Sequence, residues 1–169
     1  MSAKQKRLET DYQKVMELVE RSNGSLKLLK VTGTPPRSYE LAFNIPSLVR
    51  ERSGNPEVGK SHRVRVTLGE NYPFKKPNAR MLTPIFNPHI FSNGVFCLGS
   101  QWRPTETLDA LIIWIGAILL LDPKVLDFKS PANSAANDWA RRNLGKLPLG
   151  QLNFKSSPQQ ASRIRWNSE

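Results

Sequence analysis

From Thr83 to Pro104 the chain keeps neither a helical nor a strand period, yet it is rich in side chains that avoid water. Prolines, glycines and polar residues interrupt every pattern, while Ile85, Phe86, Ile90, Phe91, Phe96, Leu98 and Trp102 recur through it. A long structureless segment inside a compact domain is usually functional or disordered. The apolar content argues against disorder, because disordered segments lack the surface to bury. The reading is a packed loop held by a rigid scaffold, a setting in which chemistry is often placed. Cys97, the sole cysteine of the chain, lies in this loop, shortly after the turn signal Asn93-Gly94 and between Phe96 and Leu98.

The flanking sequence supplies the scaffold. Leu8, Tyr12, Val15, Met16, Leu18 and Val19 recur near helical spacing, which predicts a first helix over Ala3 to Ser22, with Ser2 as cap and Asn23-Gly24 as stop. Strand formers between turn residues predict strands at Leu26 to Val31, Tyr39 to Ile45, His62 to Leu68 and Ala79 to Leu82. Val64, Val66 and Leu68 alternate with Arg63, Arg65 and Thr67, the pattern of a half-buried antiparallel strand. His62 is expected to be exposed on its polar face. Arg50 to Lys60, with Gly54, Asn55-Pro56 and Gly59, reads as a loop. Sequential strands usually pair as neighbours, so a meander is expected.

Beyond the aperiodic segment, Thr107 is placed to cap a helix over Leu108 to Leu121, apolar nearly all round as a buried helix must be. Asp122-Pro123 ends it. A short helix follows through Arg142, with Ser134 as cap. Asn143 to Glu169 is read as a basic tail, docked through Leu147, Leu149, Leu152 and Phe154. The expected class is α+β: an N-terminal helix, a four-stranded antiparallel meander, the aperiodic loop, a core helix and a short C-terminal helix. The domain is expected over residues 1–142 and the tail over 143–169.

A chain of 169 residues is long enough to bury a core in one domain. The run from Ala110 to Leu121 is too short to span a bilayer. No apolar segment follows the basic start, and one cysteine closes no internal disulfide, so a cytoplasmic setting with reduced thiols is expected. The formal charge of +11 favours acidic partners and weak phosphate binding. The basic residues show no aromatic interleaving and match no DNA-reading motif, so nucleic acid is not expected as the main partner.

By base rate a lone cysteine with apolar neighbours is a buried, inert thiol. A nucleophile needs exposure and a usable thiolate fraction. The turn before Cys97 and Gly99-Ser100 after it leave room for that exposure.

Four blocks then have to be read together: Tyr72-Pro73-Phe74-Lys75-Lys76-Pro77, Asn87-Pro88-His89, Asn93-Gly94-Val95-Phe96-Cys97-Leu98 and Gln101-Trp102-Arg103-Pro104. In order and spacing they resemble the catalytic core of ubiquitin-conjugating enzymes, which read Tyr-Pro-Phe-x-Pro-Pro, His-Pro-Asn, Asn-Gly-x-(Ile/Val)-Cys-Leu and Gln-Trp-Ser-Pro. The outer residues of the triplet are exchanged here, and Arg103 stands in place of the serine. The resemblance covers about Ala3 to Arg142, in motifs from Tyr72 onward. It implies that Cys97 takes a ubiquitin-like modifier from an activating enzyme as a thioester and passes it to an amine on a target, with no cofactor or metal. It also implies a cis bond at Tyr72-Pro73. Similar proteins occur in bacterial anti-phage operons beside an activating enzyme, a modifier and a deconjugating protease, and the exchanged triplet and lack of final helices suggest that branch.

Site roles follow from the same resemblance. The family assigns oxyanion donation to the Asn of its triplet, and His89 stands at that position. Three arrangements remain open: His89 as donor, His89 as packing, or Asn87 as donor through a shifted loop. Asp127 lies near the place where the family keeps acidic residues that orient the incoming lysine, though a solvated loop aspartate reads equally well. Lys4, Lys6 and Arg7 match the basic face with which the family's first helix meets the activating enzyme, or form an ordinary solvated face. Phe74, Pro104 and Thr105 match the ligase-gripping surface. The alternatives are a non-catalytic scaffold of the same fold, which Cys97 opposes, and a basic nucleic-acid-binding module.

Overall fold

The computed structural model describes residues 1–50, 54–100 and 102–150. Helix α1 runs from Ala3 to Arg21 and begins with a capping box. The Ser2 hydroxyl accepts from the Gln5 amide at 3.1 Å, and the Gln5 side chain accepts from the Ser2 amide at 2.9 Å. Asn23 and Gly24, at φ 51° and 85°, turn the chain out of the helix.

The main sheet has strands β1 (Leu26–Thr32), β2 (Ser38–Phe43), β5 (His62–Thr67) and β6 (Asn78–Met81), in the order β1-β2-β5-β6, all antiparallel. This is the expected meander. Between β2 and β5 the chain makes an extra hairpin, β3 (Ser47–Val49) with β4 (Glu57–Gly59), where a loop was expected. Two strands of three residues carry too little alternation to register as strands.

The inward face of the sheet carries Tyr39, Leu41, Phe43, Val64, Val66, Ala79 and Met81. Helix α2 (Leu108–Leu119) seals it with Leu108, Leu111, Ile112, Ile115, Ile118 and Leu119, and α1 adds Leu8, Val15 and Leu18 to the same core. Leu121, at φ 52°, turns the chain away after α2. Helix α3 (Ser134–Arg142) is capped by Asn133, not Ser134; the Asn133 side chain accepts from the Ala136 amide at 3.1 Å. It closes a second, smaller core of Leu48, Phe86, Leu121, Ala136, Ala140 and Leu147.

Burial of Leu147 and the 3-10 turn Leu144–Lys146 carry packed structure beyond Arg142. Leu149 is about half exposed, while Leu152 and Phe154 lie outside the described residues. His62 is a correction: it is fully buried. Its parity in β5 is that of Val64 and Val66, so it points inward, and burial lowers its pKa. The bond Tyr72–Pro73 is cis as expected, and Thr34–Pro35 is cis as well.

Candidate functional site

The loop is packed along the free edge of β6. The Met81 amide donates to the Gly94 carbonyl at 2.8 Å and the Phe96 amide to the Ala79 carbonyl at 3.1 Å. Gly94, at φ 85°, lies so close to Met81 that a Cβ would stand 3.3 Å from its carbonyl oxygen. The loop closes on itself through the Phe91 amide and the Val95 carbonyl at 2.9 Å, and Ile90 bridges Phe96. Phe96 and Leu98 are drawn into the core, and the alternation leaves Cys97 between them partly exposed.

The exchanged triplet sits directly against Cys97. The Cys97 amide donates to the His89 carbonyl at 2.9 Å. Asn87 is buried: its Nδ2 donates to the Ile118 carbonyl on α2 at 2.8 Å, and its Oδ1 accepts from the His89 amide at 2.9 Å. Both ends of the Asn87 amide are therefore spent on the scaffold. The imidazole of His89 is half-buried, and its Nε2 accepts from the Asp127 amide at 3.0 Å. An accepting Nε2 places the single proton of the neutral ring on Nδ1. Burial lowers the His89 pKa, partly offset by the Asp127 carboxylate, so the ring is held neutral. Asp127 is exposed, and its Oδ1 accepts from the Lys129 amide at 2.8 Å.

Asn87, His89, Cys97 and Asp127 thus form one connected group. The segment after α2 is strapped to it by the Ala132 and Asn133 amides, which donate to the Pro88 carbonyl at 2.8 and 3.1 Å. Sequence reasoning missed Lys76, whose ammonium binds the Gly99 carbonyl two residues past Cys97. Its only sequence signal is that it replaces a proline of the family block. Among the described residues no group of His, Cys, Asp or Glu could hold a metal ion.

The remaining site residues gather elsewhere. The Trp102 indole donates to the Pro73 carbonyl at 2.7 Å, joining the loops of Phe74 and Pro104. Phe74 is 79% exposed, and Pro104 and Thr105, which closely follow Trp102 in sequence, are exposed too. Arg7 points inward: Nε donates to buried Asp11 at 2.7 Å, Nη1 to the Pro104 carbonyl at 2.7 Å, and Nη2 to the Tyr72 hydroxyl at 3.0 Å and to the Glu106 carbonyl. Lys4 pairs with Glu70 at 3.4 Å, and Lys6 is exposed on α1. Gln101 lies outside the described residues.

A partly exposed cysteine on a packed edge loop, an adjoining neutral imidazole and a buried core helix make up the site. The model described as ubiquitin-conjugating enzyme matches residues 12–146. The chain belongs to the ubiquitin-conjugating enzyme family.

Ubiquitin-conjugating enzyme E2 S of Drosophila melanogaster is 27% identical over 104 residues, which is 56% of this chain and 50% of that protein. The E2 S of Drosophila grimshawi is 28% identical over the same length and shares. Ubiquitin-conjugating enzyme E2 2 of Mycosarcoma maydis is 35% identical over 117 residues, or 68% of this chain and 60% of that protein. The chain spans about half the length of the fly relatives it matches. These relatives come from flies and a fungus and carry no sign of a bacterial defence setting. Among the described residues no helix is long and apolar enough to cross a membrane.

Proposed function

We propose that the chain accepts a ubiquitin-like modifier from an activating enzyme as a thioester on Cys97 and transfers it to an amine on a target protein. The observation that carries this reading is Cys97 itself: the one thiol of the chain, partly exposed between two buried neighbours and bonded through its amide to His89. In loading, the Cys97 thiolate attacks the modifier's C-terminal carbonyl, a C–S bond forms, and the activating enzyme's thiolate leaves. In transfer, the target amine attacks, a C–N bond forms, the C–S bond to Cys97 breaks, and the ammonium proton passes to solvent or a nearby carboxylate. One difficult acyl transfer becomes two easier ones.

His89 is assigned the oxyanion donor through Nδ1–H, which has no hydrogen-bond partner among the described residues. Asn87 takes the holding role, since its amide is committed to Ile118 and to His89. The exchange of residues in the triplet is on this reading an exchange of duties. Asp127, exposed and joined to the His89 ring through its amide, is assigned to meet the incoming ammonium. Phe74, Pro104 and Thr105 are assigned to a ligase surface, and Lys4 and Lys6 to the activating enzyme. A cytoplasmic location fits a thiol that must stay reduced. The narrower placement in a bacterial anti-phage operon rests on the exchanged triplet, and inspection of the neighbouring genes tests it.

Incubation with activating enzyme, modifier and ATP should yield a conjugate cleaved by reducing agent. Cys97→Ser should yield at most a reduction-resistant ester. A reducible conjugate on Cys97→Ala would overturn the assignment.

A further inference from the structure

None of the residues assigned to the transfer reaction lies on the strands of the main sheet, and the charge of its outward face is one-sided. Strand register fixes which residues share this face. Arg65 lies opposite Glu40 on β2 and Arg80 on β6, Arg63 lies opposite Ala42, and Lys27 and Lys30 lie opposite Ala42 and Glu40. Lys27, Lys30, Arg63, Arg65 and Arg80 are all exposed. Among the described residues of these strands the one carboxylate facing them is Glu40, which bonds Arg65 at 2.8 Å and Arg63 at 3.2 Å and is held below the usual carboxylate range by those bonds. The two guanidinium side chains remain about half exposed.

We propose that this face binds the phosphate backbone of double-stranded nucleic acid. Three features select that occupant over an acidic protein or a single strand. Protein interfaces are enriched in arginine as well, but around aromatic and methionine anchors. Here the centre is Arg63, Arg65 and Arg80, the outward neighbours on β2, β5 and β6 are Ser38, Ala42, Thr67 and Asn78, and the exposed Leu29 sits at the bulge of the edge strand β1. Arginine, serine, threonine and asparagine are the side chains that meet phosphate oxygens. Among the described residues, the outward positions of the four strands hold no aromatic side chain on which an unpaired base could stack, so the binding is to the backbone and independent of sequence. The formal charge of +11 adds long-range attraction of the same sign. Arg80 also bridges Val95, two residues before Cys97, so a strand bound on this face would pass beside the loop that carries the thiol.

This inference does not rest on the transfer reading, since binding is measured on the uncharged protein. The experiment is fluorescence anisotropy of labelled 20-base-pair duplex DNA and duplex RNA (about two turns each) titrated with the full chain from about 50 to 200 mM salt. Wild type is compared with the triple variant Arg63→Gln, Arg65→Gln, Arg80→Gln and with a control that removes exposed cations elsewhere, Lys60→Gln, Arg141→Gln, Lys146→Gln. The sheet-face variant should bind at least about tenfold more weakly, and its dependence of log K on log salt should be shallower by roughly 2 to 3, near 0.9 for each phosphate no longer neutralised. The control should keep the slope within about 1 of wild type. Equal weakening in both triple variants would reduce the effect to net charge and overturn the proposal. So would absence of duplex binding at about 50 mM salt, stronger binding of a single strand, or equal competition by polyglutamate of matched charge.

Discussion

His89 illustrates how much two hydrogen bonds can decide at the scale of one residue. An imidazole in water titrates near 6.5 and donates from either nitrogen. Here Nε2 is taken by the Asp127 amide, and burial disfavours the charged ring, so the donor is a neutral Nδ1–H. Single-turnover discharge of the Cys97 thioester to free lysine should therefore keep rising from about pH 6 to 9 as lysine deprotonates, with no levelling off as pH passes the ordinary histidine range. A rate that levels off above the histidine range, with the rise restored in His89→Asn, would instead identify the imidazolium as donor. Asn87 should behave as scaffold. Asn87→Ala leaves the Ile118 carbonyl and the His89 amide without their partner and should cost about 1–3 kcal/mol in denaturant unfolding. Full stability with lost discharge would reassign the donor to Asn87.

The joint between α1 and the loops that follow β5 and precede α2 turns on Arg7 and Asp11, at the scale of whole elements. The buried Asp11 carboxylate accepts from Arg7, from the Tyr72 hydroxyl and, at 3.3 Å, from the Leu108 amide that opens α2. Burial and the Asp11 carboxylate push the Tyr72 phenol well above its ordinary range. Arg7→Ala should strand Asp11 and lower unfolding stability by roughly 2–4 kcal/mol. Unchanged stability with impaired charging would make Arg7 a partner-binding residue instead.

Elements with a clear hydrophobic period or a long apolar run were legible in the sequence: α1 with Ser2 as its cap, the four main strands and α2, although α2 ends at Leu119 and the Thr107 side chain makes no capping bond. The β3–β4 hairpin was not, since pairing of three-residue strands is set by the core beneath them rather than by local pattern. The site divides the same way. Cys97 and the triplet stand out by local order, whereas the bond from Asp127 to His89 spans 38 residues and that from Lys76 to Gly99 spans 23, and only the fold brings such pairs together.

Taken as a whole molecule, the protein buries His62 and half-buries His89, and desolvation lowers both pKa values. Below about pH 6.5 the unfolded chain takes up protons at these positions that the folded one resists, so stability is present above that pH and is lost as pH falls toward the folded values. Glu40 and Glu70 have lowered pKa values from their Arg65 and Lys4 hydrogen bonds, and their contribution is lost only as pH falls below about 4.5, leaving pH 5 to 7 to the histidines. The urea midpoint should fall from pH 7 to 5 and fall less in His62→Gln; a flat midpoint would contradict the buried neutral rings. The central claim, that Cys97 carries the acyl group and His89 assists its departure, is tested most directly by following charging and single-turnover discharge to lysine in wild type, His89→Ala and His89→Asn. Charging should be near normal in all three, with discharge slowed about 10²-fold in His89→Ala and partly restored in His89→Asn. Equal discharge by wild type and His89→Ala would contradict the donor role, and failure of wild-type Cys97 to charge at all with cognate activating enzyme, modifier and ATP would contradict the whole account.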